Sequence, residues 1–317
     1  MNVNAAKVKI FSGSSNRPLT EKICELLGLP LGEVKLSRFK SGEVYVSYQE
    51  PIRTCDIFIV QSLSHPINDH FMELLVMIDA AKRSSAKTIN VIMPYYGYAR
   101  QERKRAPREA ISAKLIADSL SMAGASRIIT LDLHADAIQG FFNIPVDHLT
   151  SLNKAAAYLR SLNLERPVVV SPDPGRAAAA EKLANALDAH FAIMVGDPAD
   201  RAAGRRMRIV GEVEGRTPIV IKDIIDTGKT VRPAVDALQE QGSLPCYVVA
   251  SHGLFTNRAL ELLDHPHIAE VAVTDTISHA DHPVGKLKVI SIAKLIADAI
   301  HINTKGGSID TLSRTGI

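Results

Sequence analysis

PIVIKDIIDTGKTVRPAVDAL, residues 218–238, decides the fold. Residues 218–221 are continuously apolar, as in a strand covered on both faces of a parallel sheet. Val231, Val235 and Leu238 then recur at helical spacing. Between them lies a small-residue turn, Asp226-Thr227-Gly228-Lys229-Thr230. Strand, turn and helix start in this order make an anion site, because the free N–H groups and the positive helix end face the same point. Thr227 and Thr230 add hydroxyl donors, and Asp223 and Asp226 are placed to accept from sugar hydroxyls. A Walker loop is excluded, since Asp223 stands where its first glycine belongs. The competing reading is an ordinary acidic turn capped by threonine.

Outward from this unit, β-rich runs alternate with amphipathic helical stretches. Candidate strands lie at 8–12, 56–61, 88–94, 127–131, 167–171, 191–195, 218–221, 247–251, 271–274 and 287–291. Helical stripes occur at Phe71, Leu74, Leu75, Ile78 and Ala81 behind the candidate cap Asn68, and at Ile111, Leu115, Ile116 and Leu120 before Gly124. A third stripe is Ile292, Leu295, Ile296 and Ile300. This alternation predicts α/β architecture, with helices on both faces of mostly parallel sheets. Ten strands are many for one sheet, so the reading places two tandem domains at 1–150 and 151–317. Ligands of such sheets bind beyond the carboxyl ends of strands.

Two further segments follow strand ends. His134, in Asp132-Leu133-His134-Ala135-Asp136, and Asp173, in Ser171-Pro172-Asp173-Pro174-Gly175, are candidate ligands of a shared Mg²⁺. The plain alternative for His134 is a hydrogen-bonded structural histidine. Tyr95-Tyr96-Gly97-Tyr98 leads into Arg100 and Gln101 and a run with five basic residues and one acid up to Arg108. That run reads as a triphosphate site or as a solvated charged face.

The bulk properties are those expected of a soluble protein. The hydrophobic fraction is 46%, enough for a substantial core, and the net charge of +3 is too small to indicate a nucleic-acid partner. Three widely spaced cysteines fit neither a disulfide framework nor a zinc site. Without an apolar signal core or a membrane-length apolar run, the chain is expected to be cytoplasmic, with no membrane partner.

The turn at 226–230 resembles the loop of the phosphoribosyltransferase group, which narrows the ligand to ribose 5-phosphate or its pyrophosphorylated form. The whole set of segments closely resembles the ribose-phosphate diphosphokinase (phosphoribosyl pyrophosphate synthetase) family. The matching stretches are RFKSGE at 38–43, NDHFMELLVMIDAAKRSSAKTINVIMPYYGYARQER at 68–103, LDLHADAIQGFF at 131–142, SPDPG at 171–175, DIIDTGKT at 223–230 and GGSIDTL at 306–312. The resemblance implies two tandem phosphoribosyltransferase-like domains, each a mostly parallel sheet flanked by helices. It implies transfer of pyrophosphate from ATP to ribose 5-phosphate with Mg²⁺, in homo-oligomers, hexamers built from dimers. Phe39, Ser41 and Glu43 match a segment reaching the adenine site of a neighbouring subunit, and Arg100 and Gln101 match ATP contacts. His134 and Asp173 match metal ligands; Asp223, Asp226, Thr227, Gly228, Lys229 and Thr230 match the ribose-phosphate loop.

The chain departs from the family pattern at three places. Gly196, Asp197 and Pro198 stand where the family's loop carries a lysine and arginines, so weak turnover is expected, with Arg201, Arg205, Arg206 and Arg208 the nearest substitutes. Lys222 replaces the first acid of the paired-acid loop, and Pro174 and Arg176 break a glycine pair. The competing functional readings are a catalytically impaired regulatory paralogue that assembles with an active synthetase, and a phosphoribosyltransferase.

Overall fold

The computed structural model describes residues 7–196, 207–279 and 285–314. Their described residues divide into two compact units. The first runs to Thr150 and includes Thr276–Ser278 and Ile292–Arg314; the second comprises Ser151–Asp275 and His279–Ser291.

In the first unit the strands are β1 (Val8–Ser12), β2 (Val34–Arg38), β3 (Val44–Tyr48), β4 (Asp56–Val60), β5 (Thr88–Met93), β6 (Arg127–Leu131) and β7 (Val146–Leu149). Five of them form a parallel sheet in the order β1-β4-β5-β6-β7. Its first helices are α1 (Arg17–Leu27), α2 (Ile67–Arg83) and α3 (Ser112–Ala123). Successive strand residues point to opposite faces. Accordingly Ile57 and Ile59 join a core with Leu74 and Met77 of α2 and Ile116 and Leu120 of α3, while Phe58 and Val60 join another with Leu19, Ile23 and Leu27 of α1. Both sheet faces are therefore covered by helices, which explains the near-continuous apolar strands.

The second unit opens with α4 (Leu152–Ser161), β8 (Pro167–Ser171), α5 (Ala177–Leu187), β9 (His190–Val195), β10 (Arg208–Val210) and β11 (Thr217–Ile225). It continues with α6 (Val231–Glu240), β12 (Cys246–Gly253), α7 (Ala259–Leu263), β13 (Ile268–Thr274) and β14 (Leu287–Ile290). The sheet order is β10-β9-β8-β11-β12-β13-β14, and only the β9–β10 pair is antiparallel. Val220, Val248 and Val170 face α6, whereas Ile219, Ile221 and Val169 face α4 and α5.

Three expectations are corrected. The stripe at Ile292, Leu295, Ile296 and Ile300 lies on α8 (Ala293–Lys305), which packs against α1 in the first unit rather than completing a domain at 151–317. Periodicity shows that a helix has a buried face but not which surface covers it. Asn303 of α8 also donates to the Asp147 carboxylate of β7 at 2.9 Å. Asn68 is not a cap, because α2 starts one residue earlier; its side-chain oxygen accepts from the Tyr98 hydroxyl. Finally, β11 runs four residues past Ile221 to Ile225, carrying Lys222 and Asp223 inside the strand.

Candidate functional site

In the first unit the segment at 39–43 is the tip of the β2–β3 hairpin. The Phe39 N–H donates to the Glu43 carbonyl and the Gly42 N–H to the Phe39 carbonyl, both at 2.9 Å. Gly42 closes this turn with φ of 94°, where a side chain would be strained. The Ser41 hydroxyl donates to the Glu43 carboxylate at 2.6 Å, which sets both side chains on the tip. Phe39 is 56% exposed and meets Tyr45 edge-on, with ring centroids 5.6 Å apart.

After β5 the chain is anchored before it becomes basic. Tyr95 and Tyr96 are buried, and the Tyr96 hydroxyl donates to the Ala113 carbonyl at 2.8 Å. A Cβ on Gly97 would lie 2.8 Å from the Leu63 carbonyl oxygen, so only glycine lets the loop pass there. Arg100 and Gln101 emerge exposed from this anchored base. The Arg105 and Ala106 N–H groups donate to Glu109, and these bonds hold its carboxyl below the usual carboxylate range.

After β6, Asp132 takes a positive φ of 38° and its N–H donates to the Leu149 carbonyl. The next N–H, that of Leu133, donates to Nε2 of His148 at 2.9 Å, so β7 props the turn that presents the half-buried His134. Burial holds His148 below the ordinary imidazole range, against the opposing pull of Asp132 and Asp136. His148 escaped sequence reading because β7, VDHL, has no apolar run.

In the second unit the turn at 226–230 follows β11 and leads into α6. Thr256 anchors its start, its N–H donating to the Asp226 carbonyl at 3.0 Å and its hydroxyl to the Asp226 carboxylate. Gly228 adopts φ of 75°, and its carbonyl accepts from the N–H groups of Val231 and Arg232 at 3.1 Å. Among the described residues nothing accepts from the N–H groups of Thr227, Gly228, Lys229 or Thr230. The turn thus offers a row of donors at a helix start.

Beside it, the β8–α5 loop is tied to the end of β11 by two ion pairs. Lys222 Nζ lies 3.0 Å from Asp173 Oδ2, and the Arg176 guanidinium pairs with the Asp223 carboxylate. Sequence reading treated Lys222 and Arg176 as separate departures and missed that they meet the two acids. His134 belongs to the first unit and Asp173 to the second. Among the described residues no group of three or more His, Cys, Asp or Glu side chains is placed to hold a metal ion. Gly196 follows β9 with φ of 124°; Asp197, Pro198, Arg201, Arg205 and Arg206 lie outside the described residues.

Two α/β units with mostly parallel sheets, one carrying a turn of backbone N–H donors between strand and helix, define a protein with two phosphoribosyltransferase-like domains. Residues 8–124 match the N-terminal domain of ribose phosphate pyrophosphokinase, and residues 202–314 match the phosphoribosyl synthetase-associated domain. A ribose-phosphate pyrophosphokinase of Fusobacterium nucleatum is 44% identical over 98% of this chain and 99% of its own length. One from Bacillus subtilis is 46% identical over 92% of this chain and 93% of its own. The crystal structure of phosphoribosylpyrophosphate synthetase from Mycobacterium smegmatis superposes with a TM-score of 0.89 at 39% identity, covering 95% of this chain and all of that one. The chain belongs to the ribose-phosphate pyrophosphokinase family.

Proposed function

We propose that this protein is a ribose-phosphate diphosphokinase, transferring the β,γ-pyrophosphoryl group of ATP to ribose 5-phosphate to give phosphoribosyl pyrophosphate and AMP. The observation that carries the reading is the row of uncommitted N–H groups from Thr227 to Thr230 at the start of α6. These groups, with the Thr227 and Thr230 hydroxyls and the Lys229 ammonium, bind the 5-phosphate. Asp226 is fixed by Thr256, and it accepts from the ribose hydroxyls. The anomeric oxygen attacks the β-phosphorus, the bond from that phosphorus to the α,β-bridging oxygen breaks, and AMP leaves. The hydroxyl proton passes to solvent. Such transfer depends mainly on positioning and on neutralising charge on phosphate oxygens.

Arg100 and Gln101 contact the ATP phosphates, their loop anchored by the buried tyrosines that precede them. Magnesium carried on the nucleotide would neutralise its phosphate oxygens. His134, propped by His148, fits as a protein ligand to that ion. Asp173 does not fit as its second ligand while Lys222 holds its Oδ2. Phe39, Ser41 and Glu43 serve a neighbouring subunit's ATP, since an exposed aromatic on a rigid hairpin tip suits stacking on a base. On the family resemblance the chain works as a homo-oligomer, a hexamer built from dimers, in the cytoplasm. No helix among the described residues is long and apolar enough to cross a membrane.

The test is incubation of the purified protein with ATP, Mg²⁺ and ribose 5-phosphate, with AMP and phosphoribosyl pyrophosphate separated chromatographically. Equimolar appearance of both is expected. Failure to form AMP above an ATP-only control, in a sample that still binds both substrates, would overturn the activity.

A further inference from the structure

Asp173, Lys222, Arg176 and Asp223 form two ion pairs whose charges sum to zero. Their placement follows from the sheet. β8 and β11 are parallel neighbours, with Val170 opposite Val220, so the residues just past the end of β8 lie beside Lys222 and Asp223, which are still within β11. Lys222 and Asp223 are consecutive in β11 and therefore point to opposite faces. The β8–α5 loop sends Asp173 to one and Arg176 to the other, clasping the strand end from both sides.

A cluster of acids at this place would need a divalent cation. Here the neutralising charges are covalently built in. The Lys222 side chain is 12% exposed and Asp223 only 6%, so neither can shed its partner and rest in water. A divalent ion approaching the 39% exposed Asp173 finds Oδ2 already held by an ammonium at 3.0 Å, which leaves it Oδ1 beside that positive charge. To take Oδ2 it would have to expel that ammonium while leaving it enclosed beside the ion. Mg²⁺ also demands near-octahedral oxygen ligation and loses water reluctantly, which one remaining carboxylate oxygen next to an ammonium does not offset.

We infer that Lys222 takes the place of a divalent cation at Asp173, so that the second unit binds its ligand without a metal of its own. Its application to ribose 5-phosphate rests on the proposed sugar-phosphate site; the exclusion of metal from Asp173 does not. The only divalent ion in the reaction then arrives on the nucleotide. Lys222 becomes a positioning residue: it sets the Asp173 carboxylate and the β8–α5 loop beside the turn at 226–230.

The test uses Mn²⁺ as probe, with free and bound ion measured by paramagnetic resonance on the full chain. The parent and Asp173→Asn should bind the same number of Mn²⁺ ions. Lys222→Met should gain one Mn²⁺ per chain, and the added substitution Asp173→Asn should remove it again. Lys222→Arg, which keeps the charge, should gain none. The inference is overturned if Asp173→Asn abolishes a Mn²⁺ that the parent binds, or if folded Lys222→Met gains no ion. Should Lys222→Met fail to fold, the parent against Asp173→Asn decides alone. Calorimetry of ribose 5-phosphate in excess chelator and in Mg²⁺ should give affinities within about twofold, and a loss of about tenfold in chelator would also overturn the inference. Absence of binding in both conditions would instead remove the sugar-phosphate site, leaving the Mn²⁺ result to stand by itself.

Discussion

Replacing Arg176 by methionine removes the guanidinium that faces Asp223 and leaves most of the aliphatic volume in place. Asp223 is 6% exposed and Arg176 20%, so the pair lies largely out of water. Breaking a buried pair by deleting one partner costs about 3–5 kcal/mol, because the remaining charge is uncompensated. Asp223 has further polar interactions, which places the cost at the lower end, about 3 kcal/mol. The reverse deletion, Asp223→Asn, leaves a longer and more exposed arginine that reaches solvent along its stem, and should cost about 1 kcal/mol. With both partners changed no buried charge is left, so the double variant should lose less than the two single losses added. The expected coupling is about 2 kcal/mol, within the usual span for residues in contact. In urea, with a slope of about 2 kcal/mol/M for a unit of this size, Arg176→Met should lower the midpoint by roughly 1.5 M. Circular dichroism through the transition measures this, with calorimetry to separate the two units if they unfold apart. Additive losses within about 0.5 kcal/mol, or a midpoint shift near zero, would refute the buried pair as the tie between the β8–α5 loop and β11.

Thr230→Val removes a hydroxyl at nearly constant shape and should weaken ribose 5-phosphate about tenfold or more, since a hydrogen bond to a charged group contributes roughly 1.5–3 kcal/mol. Unchanged affinity in calorimetry would take the hydroxyl out of the site. Burial first, then Arg232, lowers the His265 pKa, and burial first, then His265, lowers that of His267. Unfolding lets both bind protons more readily, so stability should be full above the ordinary value near 6.5 and fall as pH drops below it. Thermal unfolding across that range checks the slope, and a melting temperature that rises on acidification would contradict it. Burial pushes the Cys24 thiol up to about 11, with Glu21 adding to the shift, and the Cys246 thiol up to about 12. Both should resist a disulfide reagent at about pH 8 until the protein unfolds, and prompt labelling of either in the native state would show that it is not enclosed.

The apolar strands were legible because a strand covered on both faces needs a local run of apolar residues, and VKIFS, VVV and PIVI supply it. What escaped was structure whose stabilising partner lies elsewhere in the chain. β2 and β3 alternate apolar and polar residues, with Val34, Leu36, Val46 and Tyr48 packed on the first core, but each is only five residues long. β10, at three residues, exists by pairing with β9. The end of β11 is the sharpest case. Lys222 and Asp223 read as loop because a charge inside a buried strand is costly. That cost is offset by Asp173 and Arg176, 49 and 47 residues away, a distance no local pattern spans. The same non-local pairing changes how the departures from the family pattern are understood. Taken singly, a lysine for an acid and an arginine for a glycine each look like damage to the sugar-phosphate site. Taken together they are complementary, each cation supplying the charge that one acid requires. Removing Arg176 leaves Asp223 buried without its cation, whereas removing Lys222 leaves Asp173, which is partly exposed. The residues at 226–230 were legible for the opposite reason, since their donors, their left-handed glycine and the helix they start lie within a dozen residues of chain.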